Sequence, residues 1–172
     1  MVQVSKLARK ISAAKWEAKD YLAEGEISAD ALSSCLRTQD AKLSFWVCSE
    51  APETIRDVVL AVASTSNEPD RLLLVVLDDA EITTHSRILQ ETDGKTPVAD
   101  LRSKHRDLAY LSIDDLCELA RIIAPKVRHD KDCYVFSKKE VLQILRGAID
   151  SHRLTLESLH EKLRNAIRKL ET

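Results

Sequence analysis

The sequence predicts an α/β fold: a small, mainly parallel sheet of about four strands flanked by helices, with amphipathic N- and C-terminal helices packed as an extension. Three observations carry this expectation. Six unbroken apolar residues, Leu72 to Leu77, stand between Arg71 and the pair Asp78-Asp79. Such a run reads as a strand covered on both faces, the usual signature of a parallel strand between helices. A strand, a helix and this strand then follow one another with short connections, the βαβ pattern. Finally, Ser112-Ile-Asp-Asp115 and Ser137-Lys-Lys-Glu140 have the spacing of helix capping boxes, each placed after a short β-like run.

Taken in order, Val4, Leu7, Ile11, Ala14, Ala18 and Tyr21 recur at three-four spacing between charged residues, which predicts an amphipathic helix ending near Gly25. Ser28 is placed to cap a second, short helix through Cys35 and Leu36. Leu43 to Cys48 is aromatic and β-branched and predicts the first strand, after which Pro52 opens a helix carrying Ile55, Val58, Val59 and Val62 on one face. The strand at Leu72 to Leu77 follows. Residues 78–97 show no period, and Thr92 to Pro97 has turn composition, which marks a functional loop. A short helix is expected from Val98, a third strand at Leu108 to Leu111, a helix from Ser112 to just before Pro125, and a short edge strand at Cys133 to Phe136. The helix after Ser137 and a last one from Leu154 to Leu170, with Leu156, Leu159, Leu163, Ile167 and Leu170 on one stripe, complete the chain. One domain is expected over 1–172, with a helical segment at 1–38, the α/β core at 42–136 and a second helical segment at 137–172.

Composition narrows the chemistry. Only three glycines, Gly25, Gly94 and Gly147, occur, and no two are close. A backbone phosphate cradle needs several within a few residues, so neither a nucleotide nor a dinucleotide cofactor is expected. No apolar run approaches the roughly 18 residues of a membrane span, and the first residues lack the apolar core of a secretory signal. Cys35, Cys48, Cys117 and Cys133 are scattered, which predicts reduced thiols and a cytoplasmic protein. The formal net charge is −2, yet residues 126–172 hold 11 Lys plus Arg against 7 Asp plus Glu. That mild excess suits either a nucleic-acid partner or an acidic surface on the protein's own front portion.

Asp78 and Asp79, at the carboxyl end of the buried strand, with His85 shortly after, are the candidate metal ligands, and Mg²⁺ is the ion their oxygens would suit. Pro69-Asp70 and Asp93-Gly-Lys95 follow the outline of restriction-endonuclease-like enzymes, in which two acids hold Mg²⁺ beside a lysine. Here, however, the acid-x-Lys element falls in turn composition and Asp70 precedes its strand. His105-Arg-Asp107 shares three letters with the kinase catalytic loop and nothing more. Arg146 with His152, and His129, Asp130, Asp132 and Cys133, read as turns. Cys48 ends a strand beside a helix N-terminus, where its thiol would ionise more readily unless burial prevails. The function expected is a non-catalytic interaction or regulatory protein that self-associates through its terminal helices. The alternatives are a metal-dependent hydrolase or nuclease using the strand-end carboxylates, and a nucleic-acid-binding accessory protein using the basic C-terminal quarter.

Overall fold

The computed structural model describes residues 6–17, 20, 22, 23, 25–83 and 87–170. Its strands are β1 (Lys6–Ile11), β2 (Leu43–Cys48), β3 (Leu72–Asp78), β4 (Ile88–Glu91), β5 (His105–Ala109) and β6 (Cys133–Phe136). Its α-helices are α1 (Ala29–Cys35), α2 (Pro52–Ala63), a single turn α3 (Asp79–Ile82), α4 (Ile113–Arg128), α5 (Lys138–Asp150) and α6 (Glu161–Arg168). The strands form one sheet in the order β4-β5-β2-β1-β3-β6. Every pairing in it is antiparallel.

This overturns the mainly parallel, four-stranded sheet that the apolar run predicts; the fold is α+β. The run at Leu72 to Leu77 is indeed buried on both faces. The cover comes from helices on both sides of the sheet, however, and not from parallel neighbours. One face packs under α2, α5 and α6, with Leu72, Leu74 and Val76 in that core. The other packs under α1 and α4, with Leu73, Val75 and Leu77. β2 and β3, joined through α2, do run in the same direction, but β1 lies between them and is antiparallel to both. The βαβ unit is therefore split.

β1 occupies the stretch that the sequence assigns to an amphipathic helix. Leu7 and Ile11, four apart, fit one stripe of a helix and equally one face of a strand, because the intervening Arg9 can hide its charge. Pairing on both edges decides the matter. All six residues of β1 oppose β3, from Lys6↔Asp78 to Ile11↔Leu73. On the other edge only Lys6, Leu7 and Ala8 oppose β2, as far as Ala8↔Trp46. Beyond that point β2 parts from β1, and the gap positions the site described below.

The other terminal extension is also different. The expected last helix is a 3₁₀ turn at Leu156–Ser158 followed by α6, and Leu159, Leu163 and Ile167 of its stripe are buried in the protein's own core. Of the first stripe, Leu7 and Ile11 are buried on β1, whereas Val4, Ala18 and Tyr21 lie outside the described residues. Other local signals translate directly. Ser28, Ser112 and Ser137 cap α1, α4 and α5, and Pro52 sits in the first turn of α2. α4 runs through Pro125 to Arg128, since proline in its last turn costs only one intrahelical bond. Among the described residues no helix is long and apolar enough to cross a membrane.

With Leu7 fully buried at the centre of the sheet, Leu7→Ala is expected to cost about 2–5 kcal/mol of unfolding free energy. Urea denaturation measures it. A loss below about 1 kcal/mol, the scale of an exposed position, would contradict the central placement of β1.

Candidate functional site

Asp78 closes β3 and serves as N-cap of α3, where its backbone N–H donates to the Glu81 carboxylate at 2.9 Å. Its own carboxylate is held by Lys6 at 2.8 Å, and the Lys6 ammonium is pushed up by that hydrogen bond. Asp79 is the first residue of the same turn, half-buried and engaged in an interaction of its own. His85 lies outside the described residues. Among the described residues no three His, Cys, Asp or Glu side chains converge as a group able to hold a metal ion.

The remaining sequence candidates separate in space. Asp70 borders the α5–α6 side of the molecule, beside Lys138 and Lys162, whereas Asp93 and Lys95 line a different cleft. Asp130 and Asp132 adopt left-handed backbone, with φ of 49° and 54°, in the turn before β6. Lys126 holds the Asp132 carboxylate at 2.9 Å and keeps it below the usual range. Arg146 pairs with Asp150 along α5. Burial pushes the Cys48 thiol up to about 12 and the Cys133 thiol to about 11, so the α2 N-terminus does not activate Cys48. In the basic C-terminal quarter, Arg153 bridges Asp57 and Asp100, and Lys162 meets Glu68. Part of that charge excess answers acids of the protein's own front portion.

The constellation with open access lies where β2 leaves β1. The β2–β5 register sets Ser44 opposite Asp107 and Trp46 opposite His105. The Ser44 hydroxyl donates to Asp107 Oδ1 at 2.9 Å, and the Thr92 hydroxyl donates to Oδ2 at 3.2 Å. Thr92 Oγ1 also lies 2.7 Å from His105 Nδ1. A hydroxyl has one hydrogen and a carboxylate none, so Nδ1 carries the imidazole proton and donates to Thr92, which leaves Nε2 as an acceptor. Burial holds the imidazole below its ordinary range, with Asp107 opposing that effect. The His105 ring meets the Trp46 indole edge-on, with centroids 5.0 Å apart.

Residues 92–98 run across this face as a strap. Gly94, Thr96 and Val98 turn inward while Asp93 and Lys95 turn outward, an alternation of period two. The Gly94 N–H donates to the Arg102 carbonyl at 3.0 Å, and the Thr96 hydroxyl meets that of Ser64 at the end of α2 at 3.0 Å. Gly94 is required by close approach: a Cβ there would lie 2.9 Å from Trp46 Cζ3 and overlap the indole. The turn composition thus resolves as an extended segment pinned at both ends.

On the β1 side stands Arg9. Its Nε and Nη2 donate to the Cys35 carbonyl at 2.9 and 2.7 Å, and Nη1 donates to the Ser44 carbonyl at 2.6 Å, in the gap where β1 and β2 have parted. The guanidinium carbon lies 5.7 Å from the centre of the Phe45 ring. Burial lowers its pKa to about 10. The resulting cleft, about 640 Å³, has Arg9, Ser44, His105 and Asp107 within it, with Arg37, Lys42 and Lys95 around the mouth alongside Asp40 and Asp93.

The chain matches no family model, no curated protein and no solved structure. The site therefore rests on its own chemistry. Sequence reasoning misses Arg9, which it places on the polar face of a helix, and Ser44, which lies inside a strand. It dismisses His105 and Asp107 as kinase-like letters. Only the pairing of segments 63 residues apart brings Ser44 to Asp107. The one local signal is the alternation from Asp93 to Val98, masked by its glycine and proline.

Two outcomes are expected. Gly94→Ala destabilises the protein by about 1–3 kcal/mol through overpacking against Trp46, and native-state hydrogen exchange shows lost protection of the residue-94 amide. Burial lowers the His105 pKa, so as the pH drops below about 6.5 the unfolded chain binds more protons than the native one and stability declines toward acid. Thermal melts between about pH 5 and 7 are expected to show a shallower acid-side decline for His105→Gln than for wild type.

Proposed function

We propose that the protein is an interaction and regulatory protein that acts by binding the anionic group of a ligand or partner in the cleft between β1, β2 and β5. The observation that carries this reading is the Arg9 guanidinium. It is half-buried, hydrogen-bonded only to neutral carbonyls, and has no carboxylate within 4 Å among the described residues. The other deeply placed arginine behaves differently: Arg87, 3% exposed, is met by Asp115 at 3.4 Å and Glu118 at 2.6 Å. A partly desolvated cation without a counter-charge is costly, and an incoming anion removes that cost. Arg37, Lys42 and Lys95 at the same mouth make no ion pair among the described residues either, so they add to the attraction. Four cysteines without a disulfide support action in a reducing compartment, the cytoplasm.

Titration calorimetry with inorganic phosphate at fixed ionic strength tests the reading. One site is expected, weakened about threefold to tenfold in the double variant Lys42→Gln, Lys95→Gln, equivalent to roughly 0.7–1.4 kcal/mol. The absence of phosphate binding, or binding that ignores the double variant, would remove the proposal.

A further inference from the structure

We infer that the cavity between β2, the first turns of α2 and the 3₁₀ segment Ala99–Lys104 binds a small apolar carboxylic acid the size of a single ring, its apolar body against Trp46, Val58 and Leu101 and its carboxylate on Lys104. This site is separate from the Arg9 cleft, and the inference does not rest on the anion reading above.

The cavity is built on one face of the sheet. Alternation along β2 sends Trp46 and Cys48 to the face that α2 covers. Val58 of α2 and Leu101 of the 3₁₀ segment belong to the same core. These four side chains border a space of about 200 Å³. Burial pushes the Cys48 thiol up to about 12, so it keeps its proton and serves as an apolar part of the wall. The strap backbone at Gly94 lies against the Trp46 indole, and His105 meets the ring edge-on, so the indole is clamped and cannot collapse into the space. The cavity is therefore preformed.

Its volume bounds the occupant. An apolar cavity of roughly 150 Å³ holds benzene, so this one takes a single ring with one substituent. It falls short of the roughly 300–1,000 Å³ of sites for larger ligands.

The polar groups at the rim decide the substituent. The hydroxyls of Ser49 and Thr54 are engaged in the turn that opens α2. The Thr54 hydroxyl donates to the Ala51 carbonyl at 2.9 Å and accepts from the Ser49 N–H at 2.9 Å, while Ser49 Oγ accepts from the Ala51 N–H at 3.2 Å. The Asp57 carboxylate is met by Arg153 at 2.9 Å, and Arg153 also holds Asp100 at 2.6 Å. Lys104, exposed at the rim, is the charged lining residue that makes no ion pair among the described residues. An ammonium is a compact single charge with donors only, which suits one carboxylate. Asp57 at the same rim disfavours a second negative charge, so a phosphate ester is a poorer fit.

Calorimetric titrations of the full chain with benzoate, benzamide and acetate test the inference, repeated on Lys104→Gln and on the double variant Lys42→Gln, Lys95→Gln. Benzoate is expected to bind wild type at least about tenfold more tightly than acetate, through burial of the ring, and about threefold more tightly than benzamide, the scale of one exposed ion pair. Lys104→Gln, a change at an exposed position, is expected to bring benzoate and benzamide within about 1.5-fold of each other while benzamide affinity stays within a factor of about two. The double variant at the Arg9 cleft is expected to leave benzoate affinity unchanged. Benzoate binding no better than acetate would show that the cavity does not take a ring and would overturn the inference. Retention of the full benzoate preference in Lys104→Gln would remove the carboxylate from Lys104, and loss of benzoate binding in the double variant would move the ligand to the other cleft; either result defeats the assignment.

Discussion

The pairing of β1 on both of its edges is the constraint on which the rest of the structure depends. All six of its residues are committed to β3, while its pairing with β2 ends at Ala8. A strand held this way cannot be a docking extension, and it divides the β2–α2–β3 unit in two. It also carries a charged residue into the middle of the sheet. Arg9 has to satisfy its donors there, and it does so on the Cys35 and Ser44 carbonyls, the second of which is open because β2 has departed. The gap, the half-buried cation and the cleft are thus one feature seen at three levels.

On the far side of β2 the same register logic acts on β5. Ser44 and Trp46 point to one face, and antiparallel pairing puts Asp107 and His105 beside them. The strap at 92–98 closes over Trp46 because residue 94 has no side chain, and the Thr96–Ser64 contact holds the strap to α2. Fixing Thr92 in turn orients His105 and Asp107. Backbone packing at the strap therefore sets which atoms of His105 and Asp107 are held beside Ser44 and Trp46.

Local elements are legible in the sequence wherever a short-range signal defines them. The capping serines, Pro52, the aromatic run at Leu43 and the apolar run at Leu72 each mark an element that the structure contains. Strand direction is not legible, because it depends on which distant segment pairs with which. Burial of Leu72 to Leu77 on both faces looks the same whether helices cover an antiparallel or a parallel sheet. β1 is misread because Leu7 and Ile11 satisfy both periods, and β4 is hidden because Ile88-Leu-Gln-Glu91 is a short, half-polar edge. The emphasis on Asp78 and Asp79 has the same source. Strand carboxyl ends gather ligands in parallel α/β sheets, and that expectation loses its footing once the sheet is antiparallel. The cleft residues come from β1, β2, β5, the strap and the segment between α1 and β2, so no window of sequence contains them.

The central claim is that Arg9, a cation without a carboxylate partner among the described residues at the divergence of β1 and β2, is the seat of the anion. Nitrogen-15 NMR of the arginine Nε–H groups tests it most directly, with the Arg9 signal assigned through Arg9→Lys and Arg87, already paired with two carboxylates, as the internal reference. Titration with phosphate is expected to shift the Arg9 signal in a saturable way while that of Arg87 stays in place. A stationary Arg9 signal at phosphate concentrations that saturate the protein would contradict the account.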